Sequence, residues 1–174
     1  YNQEKLERQI REISRSWEDH LQGSLIESHG EEKAMTLLHE FRDAFSSSYK
    51  EHFESRKAVH DIASIAELAT SDDIAMSFYQ PVGAEPNIVR FKVFRKTKTI
   101  ELSDIIPLLE NLGLRVLSEN PYAIHKKSDA VIWLHDFKLS YSLPGVIDVL
   151  GVKEIFQKAF SAVWHKRTVN DAFN

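Results

Sequence analysis

The chain has 174 residues, 43% hydrophobic and 28% charged, enough apolar material for a real core in one domain, or in one domain plus a small helical companion. A net charge of −4 argues against a dedicated nucleic-acid binder, and the absence of cysteine excludes a disulfide scaffold and any thiolate metal site while fitting a reducing compartment, so the expected location is the cytoplasm. No apolar run approaches the ~20 residues that cross a bilayer.

The opening YNQEKLERQ is polar and lacks Met, so no signal peptide is expected, and together with the polar close DAFN it leads us to expect a piece of a longer protein. Residues 3–29 read as a long amphipathic helix, because Leu6, Ile10, Ile13, Trp17, Leu21 and Leu25 step by three or four along one stripe. Gly30 is the expected stop. A second helix is expected over 31–45 on Ala34, Leu38, Phe41 and Phe45, with Glu31 and Glu32 in its first turn. Ser46, Ser47 and Ser48 break that pattern, and an aromatic turn with Tyr49 and Phe53 leads to a third helix. Ser55 is its expected cap, and Val59, Ile62, Ile65 and Leu68 its buried side. Residues 1–70 are thus expected to form a helical unit built on a helical hairpin.

At Thr70 the period changes to two: Ile74, Met76 and Phe78 alternate with Ala75, Ser77 and Tyr79. Pro81 and Pro86 with Gly83 mark a hairpin loop, and Val89, Phe91 and Val93 give a second strand reaching about Thr97. Ser103 is expected to cap a helix over 104–112 that carries Pro107 early and ends at Gly113. A third strand starts at Leu114, with a continuation over 123–125 beyond Pro121. A fourth spans 130–141, Pro144-Gly145 forms the exit turn, and a last helix carries Phe156, Phe160 and Trp164.

The order from Ile74 is therefore β-β-α-β-β-α. With its first strand moved to the end it becomes the ferredoxin-like β-α-β-β-α-β order. The predicted fold class is α+β: a permuted, ferredoxin-like or ACT-like four-stranded antiparallel sheet over 71–174, with two helices on one face, preceded by the helical hairpin. Around Val131 to Leu134 both faces of the fourth strand are apolar, so its second face needs cover from the N-terminal helices, another copy or the rest of a larger chain. That makes Trp133, Val131 and Tyr79 candidate interface residues, with Trp133 the best.

Several pieces in this order resemble one family. They are SWED at 16–19, then Phe45, Tyr49, Phe53 and the stretch 58–62, then FYQPVG at 78–83 and RFKVFR at 90–95. LSDIIPLLENLGLRVLSENPYAI at 102–124, WLHDFKL at 133–139, FQKAFSAVW at 156–164 and NDAFN at 170–174 follow. The succession is similar to a region ahead of the catalytic part of the large, bacterial-type NAD-specific glutamate dehydrogenases. The resemblance implies an oxidoreductase parent that deaminates L-glutamate to 2-oxoglutarate and ammonia with NAD as cofactor. It also implies that this segment is a regulatory, ACT-like part, with the remaining domains or subunits of the same enzyme as partners in a homo-oligomer. Dinucleotide chemistry needs a glycine-rich strand-to-helix turn, and none of the six glycines has that spacing. No catalytic, NAD-binding or metal-binding residue is therefore assigned to this segment.

In ACT domains amino-acid effectors lodge near the equivalent helix and its preceding loop, which makes Asp104, Asn111 and Gly113 the candidate effector residues. The alternative is that Asn111 and Gly113 only finish the helix. His135-Asp136 is read as structural, since adjacent strand residues point to opposite faces. The eight histidines lack the i,i+4 helical spacing of a zinc site and read as scattered surface residues. Arg90, Lys92, Arg95, Lys96 and Lys98, interleaved with Phe91 and Phe94, read as a solvated positive strand face; RNA binding is a weaker reading, because the RNP1 glycines are missing. A pure protein-interaction scaffold with no small ligand is the main alternative to effector sensing.

Overall fold

The computed structural model describes residues 2–68, 74–127, 131–142 and 147–173. The expected boundary at Thr70 and the Pro144-Gly145 turn lie outside them, as does the side chain of Trp164. The chain divides into two compact units.

The first unit holds residues 1–73 with 96–98 and 122–133. It contains α1 (Asn2–His29), α2 (Glu31–Phe41), α3 (Ser47–His52) and α4 (Ser55–Glu67). Gly30 adopts φ 82 between α1 and α2, a left-handed angle that suits glycine, and the two helices pack together. The predicted stripe of α1 divides in two. Trp17, Leu21 and Leu25 are buried, whereas Leu6, Ile10 and Ile13 are exposed.

The second helix ends at Phe41 rather than at Phe45, because Arg42 is extended and Asp43 takes φ 64. Phe45 is still buried, so periodicity alone could not distinguish a continued helix from a turn that returns its apolar residues to the same core. The expected aromatic turn is instead helix α3, whose N-cap Ser46 accepts a hydrogen bond from the Tyr49 N–H at 3.2 Å. Ser55 is not a cap. Glu54 holds the extended cap position, and its carbonyl accepts from Lys57 and Ala58.

An aromatic cluster fills this unit. Tyr49 lies between Phe45 and Phe53 at 4.6 and 4.8 Å, with Trp17 and Tyr122 edge-on at 6.1 and 5.8 Å. The Trp17 indole N–H donates to the Phe53 carbonyl at 2.9 Å, and the Tyr49 hydroxyl donates to the buried Asp61 carboxylate.

The second unit holds residues 74–95, 99–121 and 134–174. The strands β1 (Ile74–Tyr79), β2 (Ile88–Lys96), β3 (Leu114–Ile124) and β4 (Ile132–Tyr141) form a four-stranded antiparallel sheet in the order β1-β2-β4-β3, with α5 (Leu102–Asn111) and α6 (Val149–Phe173). Moving β1 to the end turns that spatial order into the ferredoxin-like one, with β4 inserted between the two strands that α5 connects. The hairpin register pairs Phe78 with Phe91 and Met76 with Val93 on one face, and Ala75 with Phe94 and Ser77 with Lys92 on the other. Phe78, Phe91, Phe137, Phe156 and Phe160 are the large side chains of the core of this unit, joined by Ile105 and Leu109 of α5.

Three local expectations change here. Ser103 does not cap α5: the extended Glu101 holds that place, Leu102 is the first helical residue, and Pro107 therefore sits inside the helix, where it withholds a hydrogen bond from the Ser103 carbonyl. Pro121 does not interrupt β3, which runs unbroken. That strand lies at the sheet edge, where a missing N–H is tolerated. Finally, the basic face of β2 is not wholly solvated. Lys92 is 3% exposed, with its Nζ 6.0 Å from the centroid of the Tyr79 ring.

Candidate functional site

The residues around α5 are set by its two ends. Asp104 stands half-buried in the first turn, where a carboxylate suits the positive end of the helix dipole. Asn111, the last helical residue, is exposed. Gly113 follows at φ 81; its N–H donates to the Glu110 carbonyl at 2.9 Å, and its own carbonyl accepts from both the N–H and the hydroxyl of Ser142, each at 2.9 Å. Seven residues separate Asp104 from Asn111, about 10 Å along the axis, so the two share a face but stand at opposite ends. The structure brings Asn111 and Gly113 together at the C-terminal end and leaves Asp104 beside the β2–α5 loop.

That loop contains a group the sequence did not single out as a site. The Ile100 N–H donates to Nε2 of His135 at 3.1 Å, and Nδ1 of His135 lies 2.9 Å from Oε1 of Glu119. Because Nε2 accepts, the ring proton is on Nδ1 and is donated to Glu119. His135 is 4% exposed and Glu119 17% at its side chain, so a buried imidazole on the inner strand β4 ties the loop ahead of α5 to the edge strand β3. Asp136, on the opposite face, is also buried. The pair does not meet as an acid-base couple, in keeping with strand alternation. The alternation of β4 was legible in the sequence; the cross-strand register that puts Glu119 beside His135 was not.

Tyr79 ends β1 on the Lys92 face and is half-buried. Trp133 is half-buried within β4, between the buried Ile132 and Leu134. Val131 is half-buried just ahead of that strand, and its carbonyl accepts from the Thr97 N–H at 2.8 Å. The first unit carries a shallow groove of about 670 Å³ between α1 and the start of α4, lined by Asp19, His20, Glu27, Glu54 and Arg56 among others. Among the described residues no group of three or more His, Asp or Glu could hold a metal ion, and no helix is long and apolar enough to cross a membrane.

The fold defines an α+β module of ACT type that follows a helical segment. Comparison with known families agrees: the ACT3 domain of glutamate dehydrogenase matches residues 73–152, and helical motif 2 of the same enzyme matches 24–68. The chain belongs to the family of the large NAD-specific glutamate dehydrogenases. It is similar to the NAD-specific glutamate dehydrogenase of Halomonas elongata (40% identical over 174 residues), of Pseudomonas aeruginosa (35% over 170) and of Mycobacterium tuberculosis (29% over 178). These alignments cover 100, 98 and 99% of the chain but only 11, 10 and 11% of the respective relatives, so the chain spans about a tenth of their length.

Proposed function

We propose that this chain is a non-catalytic regulatory and assembly segment of a cytoplasmic, oligomeric NAD-specific glutamate dehydrogenase. The intact enzyme converts L-glutamate, NAD and water to 2-oxoglutarate, ammonia and NADH. The observation that carries the reading is the 40% identity to such an enzyme across all 174 residues, which span about a tenth of that relative's length. The ACT-type sheet adds support, because that architecture presents a helix end and loop on which a small ligand can act. The test is turnover: the pure 174-residue chain gives no glutamate-dependent NAD reduction, and measurable turnover by it rejects the assignment.

Within this reading an amino-acid effector binds at α5. Asn111 offers an amide with both donor and acceptor at one end, and Asp104 offers a carboxylate for an ammonium at the other. A single amino acid reaches only one of these ends, so the two residues belong to separate contacts. Titration of the intact enzyme with the twenty amino acids in a calorimeter tests this. A ligand at 100 times its Kd adds roughly 2.7 kcal/mol of stability, which a thermal shift registers. Loss of that shift in Asn111→Ala supports the assignment; no shift with any amino acid favours a scaffold without small ligands. One observation favours the scaffold reading: the Ile100 N–H is already taken by His135 and the Gly113 carbonyl by Ser142, so both helix-end loops have their backbone groups partly satisfied internally. In either case we keep Trp133 and Val131, and separately Tyr79, as candidate contacts toward the remaining domains. Trp133→Gln then weakens assembly of the enzyme while leaving the fold of this segment intact, and unfolding of the segment instead assigns Trp133 to the core.

A further inference from the structure

Among the described residues of α1, positions 2–13 are all exposed, and burial in this helix starts at Trp17. The helix has 28 residues against 11 in α2 and 13 in α4, the helices that pack on it. Its first 15 residues, about 22 Å of helix, therefore lie outside the buried stretch. Yet they carry an apolar stripe too: Leu6 is 56% exposed, Ile10 47% and Ile13 67%, and the stripe runs on in steps of three and four residues through Trp17 and Leu21 into the buried seam.

The surrounding charge is distributed unevenly. At about 100° per residue, Asn2, Gln3, Gln9, Ser14 and Ser16 fall within about 90° of the centre of the stripe. All seven charged residues of this stretch (Glu4, Lys5, Glu7, Arg8, Arg11, Glu12 and Arg15) fall on the other half. A helix bathed in water on every side has no reason to clear half its surface of charge. A helix seated against another does, since charge is depleted where apolar surface is buried.

We propose that Leu6, Ile10 and Ile13 are a docking seam for a second amphipathic helix, supplied by the same polypeptide from outside these 174 residues. Size decides the occupant. Three side chains cover far less than the roughly 800 Å² per partner of a standard interface between separate molecules, so the seam is too small to hold two copies together by itself. A tethered helix needs no such area, because its effective concentration is already in the millimolar range. The relatives that match this chain along its length are about nine times longer, so the polypeptide to supply that helix exists. Continuity favours the same answer: the seam extends the face on which α1 already packs against α2 and α4, so one more helix continues an existing bundle.

The inference rests on the chain being a built-in segment of the larger enzyme and is independent of effector binding. The test uses the full-length enzyme with the photo-crosslinker benzoylphenylalanine at position 10, or at position 8 on the charged side as control. Isotopically heavy and light enzymes are mixed before irradiation, and the cross-linked peptides are mapped by mass spectrometry. The expected product joins position 10 to apolar positions of one helical segment outside residues 1–174, heavy only to heavy and light only to light. Its yield falls at least tenfold when Leu6→Glu and Ile13→Glu are added, and position 8 gives no such product. Heavy-light products at the same stripe of another subunit, products confined to residues 1–174, or no capture at position 10 each overturn the proposal. Glutamate-dependent NAD reduction by the same preparations is read in parallel, so failure of the parent assignment is seen separately from failure of the seam.

Discussion

Replacing His135 by Leu removes the tie between the β2–α5 loop and the sheet while nearly conserving side-chain volume. The consequences can be estimated group by group. The Ile100 N–H is buried and loses its acceptor, a penalty of about 1–3 kcal/mol. Glu119 loses its donor as well, but its side chain is 17% exposed and regains water, so this loss stays near the lower end of the range for hydrogen bonds to charged groups, about 1.5 kcal/mol. The variant should therefore be destabilised by about 2.5–4.5 kcal/mol. With an m-value of about 2 kcal/mol per molar, the urea midpoint falls by about 1–2 M.

The companion variant Glu119→Gln keeps a carbonyl that can accept from Nδ1 and should cost less than about 1 kcal/mol. Amide exchange gives the local signature. The Ile100 amide should exchange at least tenfold faster in His135→Leu under native conditions, and remain slow in Glu119→Gln. A midpoint within 0.2 M of the parent, or unchanged exchange at Ile100, would show that the loop is held by something other than the imidazole.

Three further outcomes follow from the same geometry. Leu21→Ala deletes a side chain that is 1% exposed and should cost about 2–5 kcal/mol, whereas Leu6→Ala on the same stripe should stay within about 0.5 kcal/mol in the isolated chain; equal midpoint shifts in urea would contradict the split of that stripe. Pro107→Ala restores an N–H facing the Ser103 carbonyl at an exposed position and should stabilise by about 1–2 kcal/mol, after part of the roughly 3 kcal/mol helix penalty is returned to the unfolded chain; a lower melting temperature would refute it. Gly23 and Gly30 form an opposed pair, since a Cβ at either would meet nothing within 4 Å. Gly23→Ala lies within α1 and should stabilise by about 0.5–1 kcal/mol, while Gly30→Ala at φ 82 should cost about 1–2 kcal/mol, and thermal melts that show the same sign for both would be inconsistent with a purely backbone effect.

The sheet was legible because its signals are local and redundant. Ile74, Met76 and Phe78 alternate, two prolines and Gly83 punctuate, and Val89, Phe91 and Val93 alternate again, so an error at any one residue would have left the hairpin standing. Capping was not legible at the same level. Ser55 and Ser103 have the right side chains for a cap, but each lies one or two residues inside its helix, because Glu54 and Glu101 already hold the extended backbone from which the helix departs. Side-chain preference at a cap amounts to about 1 kcal/mol, and packing of Ile105 and Leu109 on the core easily outweighs it. The fate of the α1 stripe was illegible for a different reason. Leu6 and Leu21 have the same chemistry and belong to one stripe of three- and four-residue steps, and the lengths of α2 and α4 determine which of them is covered.

The group around His135 shows why so little of the site could be read from the chain alone. Its three members, Ile100, Glu119 and His135, are separated by 19 and 16 positions, and no spacing rule links a loop amide to an edge-strand carboxylate. What joins them is the insertion of β4 between the strands that α5 connects, which sets β4 beside both β2 and β3. An inner strand is the least mobile part of a sheet, so a loop anchored to it is held near one conformation before any ligand arrives. An effector at the N-terminal end of α5 would then change the loop only by competing with His135 for the Ile100 N–H, or by leaving that bond intact and using the donors that follow it. The two routes differ in one observable. Competition makes the Ile100 amide exchange faster as effector saturates, whereas binding beside an intact tie makes it slower, and the direction of that single change tells whether the imidazole opposes the ligand or prepares its seat.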